Sequence, residues 1–291
     1  MKKIATNTPI YRPSLTACRG IKTLSWAAVL VLVATTHRAC ADTVLLSDNF
    51  SGSLGNPIGG NSLTVNNIKS AKWVSSGNAA YAGGNSGTFS TSDNSFMTVD
   101  TGSYAANNPG VYTLSLTLDN VGGGSDWYSF GWSALPANGV LYTQASNGGT
   151  YNVGYAWLLL RGNGQLNVYA GPGSAASGLL FSSSTGAYGA GSYNLSLVLD
   201  TTSANYTLNA SINSVQLDLN GATAGNTYTY SVNPSVQYVG ISSAASTPAV
   251  NDTFSNFSLT GPAPVPEPST LALGMIGGGL LLVWRRKLAA K

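Results

Sequence analysis

Charge is scarce in this 291-residue chain: 8% of residues are Asp, Glu, Lys or Arg, against 43% hydrophobic and 10% aromatic. So little charge with ordinary hydrophobicity excludes a disordered chain, a coiled coil and a basic nucleic-acid binder, and no nucleic acid is expected among the partners. Cysteine and histidine are scarcer still. Cys18, Cys40 and His37 are the only ones, and the single glutamate is Glu267. Residues 42–262 therefore hold no thiol, no imidazole and no glutamate. Cys-His and Ser-His-Asp nucleophilic sites are excluded there, as are zinc, copper and iron sites built on His or Cys. A Ser-x-x-Lys pair is missing too, because Asn66 and Lys69 stand three residues before Lys69 and Lys72. A domain of about 220 residues buries enough core to need no disulfide, even in an oxidising compartment.

The formal net charge of +3 divides unevenly. Lys2, Lys3, Arg12, Arg19, Lys22 and Arg38 give the first 41 residues six positive charges and no negative one. The middle, 42–262, sets Lys69, Lys72 and Arg161 against nine aspartates, a net of −6. The positive balance therefore lies in the two ends.

At the N-terminal end, residues 24–34 (LSWAAVLVLVA) form an apolar run of 11 residues, the length of a signal-peptide core and too short to span a bilayer. Ala39-Cys40-Ala41 follows, with small residues at −3 and −1 of a cleavage site. Residues 1–41 read as a secretory signal peptide cut before Asp42, which implies passage through the Sec translocon. The residues ahead of Cys40 lack the aliphatic side chain that a lipoprotein site wants.

At the other end, residues 263–291 join three parts: a Pro-rich spacer that runs into Val265-Pro266-Glu267-Pro268, an apolar run at 271–284 (LALGMIGGGLLLVW), and Arg285-Arg286-Lys287. The prolines hold an extended backbone. The apolar run of 14 residues reaches about 21 Å as a helix, enough for a transmembrane helix in a thin bilayer if its flanking residues enter and the arginines snorkel. The stop-transfer charges Arg285, Arg286 and Lys287 place the C-terminus in the cytoplasm and Pro-Glu-Pro outside. This tripartite tail resembles the PEP-CTERM sorting signal of Gram-negative bacteria. The resemblance implies an inner-membrane-anchored precursor and an exosortase that processes the chain near Pro266-Glu267-Pro268. It also implies delivery to the cell surface or extracellular matrix of bacteria that make exopolysaccharide.

The middle reads as all-β. Residues 112–119 alternate apolar and polar side chains, as do 193–200 with one exception, and 206–212 continues into 215–219 across an Asn213-Ser214 turn, a hairpin pattern. Further strands are expected at 44–50, 63–68, 71–75, 96–100, 127–133, 151–161, 165–170, 236–241 and 253–259. No window of ten or more residues shows a 3.6 period. Gly- and Asn-rich turns separate the runs without a linker near the midpoint, so a single large β-sandwich at 42–262 fits better than two immunoglobulin-like domains. Leu46-Ser47-Asp48-Asn49-Phe50 at the start and 251–259 at the end resemble the first and last strands of concanavalin-like jelly rolls, which implies paired termini.

Jelly-roll glycosidases of the laminarinase type carry two glutamates and an aspartate spaced E-x-D-x-x-E on one strand, and 42–262 has no glutamate. Asp119 and Asp126, flanking Gly122-Gly123-Gly124, read as strand-end and turn residues. A non-catalytic structural or adhesive domain is expected, then a lectin-like carbohydrate-binding module for exopolysaccharide, and after it a polysaccharide-degrading enzyme. A period of two puts Tyr151, Tyr155, Trp157 and Arg161 on one face of their strand and Tyr128, Phe130 and Trp132 on one face of theirs. Asp126, Trp127, Tyr155, Trp157 and Arg161 are the candidate carbohydrate contacts, although a sandwich this size also needs such aromatics in its core. Asp126-Trp127, beside a glycine loop, is the best single candidate for an exposed contact. No cofactor is required; Asp48 and Asp252, near paired termini, are candidates for a structural Ca²⁺.

Overall fold

The structure, a computed structural model, describes residues 42–68, 72–75, 78–89, 95–120, 122, 127–133, 154–170, 178–221, 225–234, 236–244 and 252–263. The described residues belong to one unit that starts at Cys40. In chain order the strands are β1 (Asp42–Asp48), β2 (Val65–Asn66), β3 (Val74–Ser75), β4 (Ala79–Gly83), β5 (Ser86–Phe89) and β6 (Ser95–Asp100). After the one-turn helix α1 (Tyr104–Asn107) come β7 (Val111–Asn120), β8 (Trp127–Ser133), β9 (Gly154–Arg161), β10 (Leu166–Tyr169) and β11 (Leu179–Ser182). The last six are β12 (Gly191–Asp200), β13 (Thr207–Ile212), β14 (Val215–Gln216), β15 (Tyr228–Thr229), β16 (Tyr238–Ala244) and β17 (Thr253–Pro262).

Among the described residues these strands form two antiparallel sheets. One has ten strands in the order β14-β13-β12-β7-β17-β1-β2, with β15 beside β13 and the β4–β5 hairpin beside β17. The other has seven, in the order β11-β10-β9-β8-β16-β6-β3. Alternation explains which faces meet. Leu114, Leu116 and Leu118 of β7 are buried together with Leu195, Leu197 and Leu199 of β12 and Leu208, Ala210 and Ile212 of β13. The seven-stranded sheet supplies Tyr128, Phe130 and Trp132, Ala156, Leu158 and Leu160, and Val239 and Ile241 to the same core. Tyr128, Phe130 and Trp132 are thus core residues, as their shared face and size permit. The opposite face of the ten-stranded sheet is polar: Ser47, Ser258, Ser115, Ser196 and Ser211 stand in one register row across five neighbouring strands.

The termini pair as expected. β1 lies antiparallel to β17 with Asp42 opposite Pro262 and Asp48 opposite Phe257. The hairpin also forms, with Asn213 and Ser214 both at positive φ (49° and 66°), the conformation of a two-residue turn that follows strand twist. β14 ends at Gln216, yet Leu217 stays buried and donates its N–H to the Ala210 carbonyl at 2.9 Å.

Four strands and the helix were not anticipated. β4 and β5 read AAYAG and SGTF, too rich in Ala, Gly and Ser to signal a strand locally. The hairpin forms because Gly83, Gly84 and Asn85 turn at positive φ and because Gly87 leaves room for a ring: a Cβ there would lie 2.3 Å from Phe254. β11 and β15 are four and two residues long, and α1 is a single turn, below the length at which periodicity is visible.

A clasp closes the pole where β17 ends. The Tyr104 hydroxyl donates to the Pro262 carbonyl at 2.9 Å, the Tyr112 hydroxyl donates to the Asn108 carbonyl, and the two rings meet edge to face at 6.3 Å. Burial raises the Tyr112 phenol far above its ordinary value of 10.0, helped by Tyr104 and Tyr206; burial does the same to Tyr230, helped by Tyr228. The folded state thus keeps both protons where the unfolded chain loses them. Stability from these groups is complete below pH 10 and falls as pH rises beyond it, since the unfolded state then binds fewer protons. In an alkaline titration followed by phenolate absorbance, Tyr112 and Tyr230 are expected to ionise only together with unfolding. At least two fewer phenolates in the folded protein than in the unfolded chain would show this, and full ionisation of the still-folded protein near pH 10 would contradict it.

Candidate functional site

The aromatic face singled out in the sequence is the side of the seven-stranded sheet turned away from the core. Ala156, Leu158 and Leu160 point into the sandwich, so the period of two sends Trp157, Leu159 and Arg161 the other way. Register completes the arrangement. Trp127 lies directly opposite Arg161, and Trp157 has Tyr169 on one neighbouring strand and Gly131 on the other. The Trp157 and Tyr169 rings stack at 4.3 Å and 15°. Gly131 faces Gly240 in turn, and neither position has room for a side chain: a Cβ would lie 2.3 Å from the Ala156 carbonyl oxygen in one case and 2.4 Å from that of Met97 in the other.

Polar groups flank the stack. The Asn167 amide donates to the Tyr169 hydroxyl at 3.0 Å, its Oδ1 accepts from Ser182 at 3.0 Å, and Gln165 donates to Ser182 at 3.2 Å. The Ser129 and Ser242 hydroxyls bond to each other. Tyr169 and Asn167 were not among the sequence candidates, although alternation through 165–170 puts both on this face.

The face is nonetheless buried. Trp157 is 0% exposed and Trp127 5%, and with Leu159 and Tyr169 they form a second hydrophobic cluster. The expectation that Trp127 is an exposed contact is therefore corrected: next to glycines and aromatics, its indole packs rather than projects. Alternation identified the right side of the strand, but which side is covered is a tertiary property. Tyr155 lies in the backbone of β9, at a register shift opposite Trp132 and Ser133. Asp126 lies outside the described residues, as do Ala39 and Ala41, Val265-Pro266-Glu267-Pro268, and Arg285, Arg286 and Lys287. Asp42 opens β1.

Asp48 and Asp252 are both buried but are not brought together. Asp48 pairs in register with Phe257, whereas Asp252 immediately precedes β17, five residues earlier in the chain. The Asp48 carboxylate accepts from the Trp73 indole N–H at 2.5 Å and from the Phe50 backbone N–H at 2.8 Å. Asp252 accepts through its backbone carbonyl from Thr88 at 2.9 Å. The Asp48 carboxylate thus helps close the loop between β1 and β3. No group of three or more acidic, His or Cys side chains placed to hold a metal occurs among the described residues. Asp119 sits at the end of β7 and accepts from Thr253 at 3.2 Å, a strand-end role.

Comparison with known proteins bears on both parts of the chain. Residues 264–287 match the PEP-CTERM protein-sorting motif. The sandwich is similar in structure to an endo-1,3-β-glucanase from Streptomyces sioyaensis, with TM-score 0.50 and 13% identity over 77% of this chain and 97% of that one. It is also similar to the carbohydrate recognition domain of Emp46p (TM-score 0.44, 12% identity, 66% and 89% covered) and to peanut lectin (TM-score 0.43, 11% identity, 77% and 99% covered). At these identities the likeness is one of fold: the domain is a jelly-roll sandwich of the concanavalin-like type. No curated protein aligns significantly with the sequence. No helix of the described residues is long and apolar enough to cross a membrane, and the run at 271–284 lies outside them.

Proposed function

We propose that this chain is exported through the Sec translocon of a Gram-negative bacterium and held briefly in the inner membrane. An exosortase then processes it at Val265-Pro266-Glu267-Pro268, which leaves the sandwich at the cell surface or in the extracellular matrix as a non-catalytic structural or adhesive domain. The observation that carries this reading is the sorting motif at 264–287, which starts two residues after β17 ends at Pro262. The register of β1 and β17 supports it, since Asp42, at the signal cleavage site, and Pro262 lie side by side at one pole. Both processed ends then face the same membrane.

The absence of Glu, His and Cys from 42–262 supports a non-catalytic role that needs no cofactor. A second reading, binding of exopolysaccharide, is favoured by the outer face of the ten-stranded sheet, where Ser115, Thr117, Asn194, Ser196 and Asn256 present hydroxyls and carboxamides, the groups that meet sugar hydroxyls well.

Replacing Pro266, Glu267 and Pro268 together with alanine is expected to abolish processing. The full-length precursor should accumulate in the inner-membrane fraction, with at least a tenfold loss of surface protein by immunoblot. Unchanged surface delivery and an unchanged mature C-terminus by mass spectrometry would overturn the reading.

A further inference from the structure

The loop between β1 and β2 forms a concavity with β4, distinct in sequence from the aromatic face. Backbone bonds fix it on both flanks. Gly55 donates to Tyr81 at 2.8 Å, Tyr81 to Asn56 at 2.9 Å and Ile58 to Ala79 at 2.9 Å, which binds the loop to β4. On the other flank Gly60 donates to Trp73 at 2.7 Å and Trp73 to Asn61 at 3.0 Å. Phe50 and Ile58 anchor the same loop in the core, both 0% exposed. The concavity is held in shape before any ligand arrives, so binding orders little chain.

The cleft measures about 410 Å³ and is lined by Gly52, Ser53, Asn56, Pro57, Gly59, Asn61 and Tyr81. That volume lies in the range of small-molecule sites. No charged side chain lines it. Its polar groups are two carboxamides and two hydroxyls, and its carbon surface comes from the Tyr81 ring and Pro57. Asn61 donates through Nδ2 to the Pro57 carbonyl at 2.8 Å, and its side chain is also a hydrogen-bond partner of the Tyr81 hydroxyl. The Asn56 side chain is exposed and makes no hydrogen bond to any described residue. Gly52 lies against the phenol, where a Cβ would stand 2.2 Å from the ring. Burial raises the Tyr81 phenol above its ordinary value and the nearby Asp48 raises it further, against a lowering by its hydrogen bond with Asn61, so the hydroxyl stays protonated at neutral pH.

A neutral ligand with several hydroxyls and one carbon face answers this lining. An anion finds no cation in it, and an apolar ligand finds only Tyr81 and Pro57. We propose that the cleft of Ser53, Asn56, Asn61 and Tyr81 binds one neutral pyranose unit of an extracellular polysaccharide. The proposal rests on the adhesive reading above and gives that reading a site, away from the buried Trp127 and Trp157. Tyr81 supplies a platform and a donor; Asn56 and Asn61 exchange bonds with ring hydroxyls.

The test uses the full-length chain in a detergent without a sugar headgroup, titrated calorimetrically with cellohexaose, laminarihexaose, mannohexaose and, as the charged control, an alginate hexamer. Binding of at least one neutral oligosaccharide is expected, with alginate silent. Tyr81→Ala should weaken it by tenfold or more. Asn56→Ala, at an exposed position that should leave the melting temperature unchanged, should weaken it threefold or more. Binding that Asn56→Ala and Tyr81→Phe both leave intact would overturn the cleft but keep the adhesive reading. Binding of alginate alone, or of nothing, would overturn the proposal while leaving sorting to be judged by the Pro-Glu-Pro variant. A change of oligomeric state in Asn56→Ala without sugar binding would assign the cleft to a second copy of the chain instead.

Discussion

Asp48→Ala is expected to destabilise the folded domain by about 3–5 kcal/mol and to lower its melting temperature by roughly 10–15 °C. The carboxylate serves two donors that have no access to water: the indole N–H of Trp73, a residue 1% exposed, and the backbone N–H of Phe50, a residue 0% exposed. Truncation leaves both buried and unsatisfied, and each lost bond to a charged acceptor costs about 1.5–3 kcal/mol. Asp48→Asn keeps one carbonyl acceptor and turns a donor toward the other N–H, so it should lose roughly half as much. The order alanine, then asparagine, then wild type in rising stability is the signature of a carboxylate used as a structural acceptor, and denaturant unfolding measures it. Equal stability of all three would show that the loop closes without Asp48.

Phe254→Ala is expected to cost about 3–5 kcal/mol, the range for emptying a buried aromatic site. Phe254 is 0% exposed, meets Phe50 edge to face at 5.1 Å and lies 5.2 Å from Phe89. Its opposite residue is Gly87, the register point at which the β4–β5 hairpin joins the ten-stranded sheet. The loss should therefore be local as well as global. Hydrogen exchange is expected to quicken first in the hairpin that carries Tyr81, ahead of β7 and β12, whose pairing runs through ten register positions. Uniform quickening throughout both sheets would mean that the hairpin is held by something other than this ring.

Much of the fold was legible because it is written in short-range alternation. β7 carries period two from Tyr112 to Asp119 without a break and β12 with one exception at Val198, and Asn213-Ser214 marks its hairpin with residues that accept positive φ. The pairing of β1 with β17 was visible in the motifs at both ends. The β4–β5 hairpin was not, because Ala, Gly and Ser are chosen there by what lies across the sheet; Gly87 makes sense only once Phe254 is above it. The sites divide in the same way. Trp157 was put on the correct face, yet its burial depends on Tyr169, Leu159 and Trp127 meeting it from other strands. The partner of Asp48 is Trp73, 25 residues away, and no local pattern joins them. The cleft combines residues 52–61 with Tyr81, so its concavity has no signal in either segment.

The meeting of Asp42 and Pro262 at one pole also decides how the domain carries load. While both ends are tethered, a pull separates β1 from β17 at that shared end and opens the ladder like a zip, with one pair of bonds under tension at a time. With the chain cut before Asp42, as proposed, a pull through Pro262 would act along β17 alone. That strand is bonded to β7 on one side and to β1 on the other. Tension would then be shared by both ladders in shear, so the proposed removal of the leader would turn a weak mechanical geometry into a strong one.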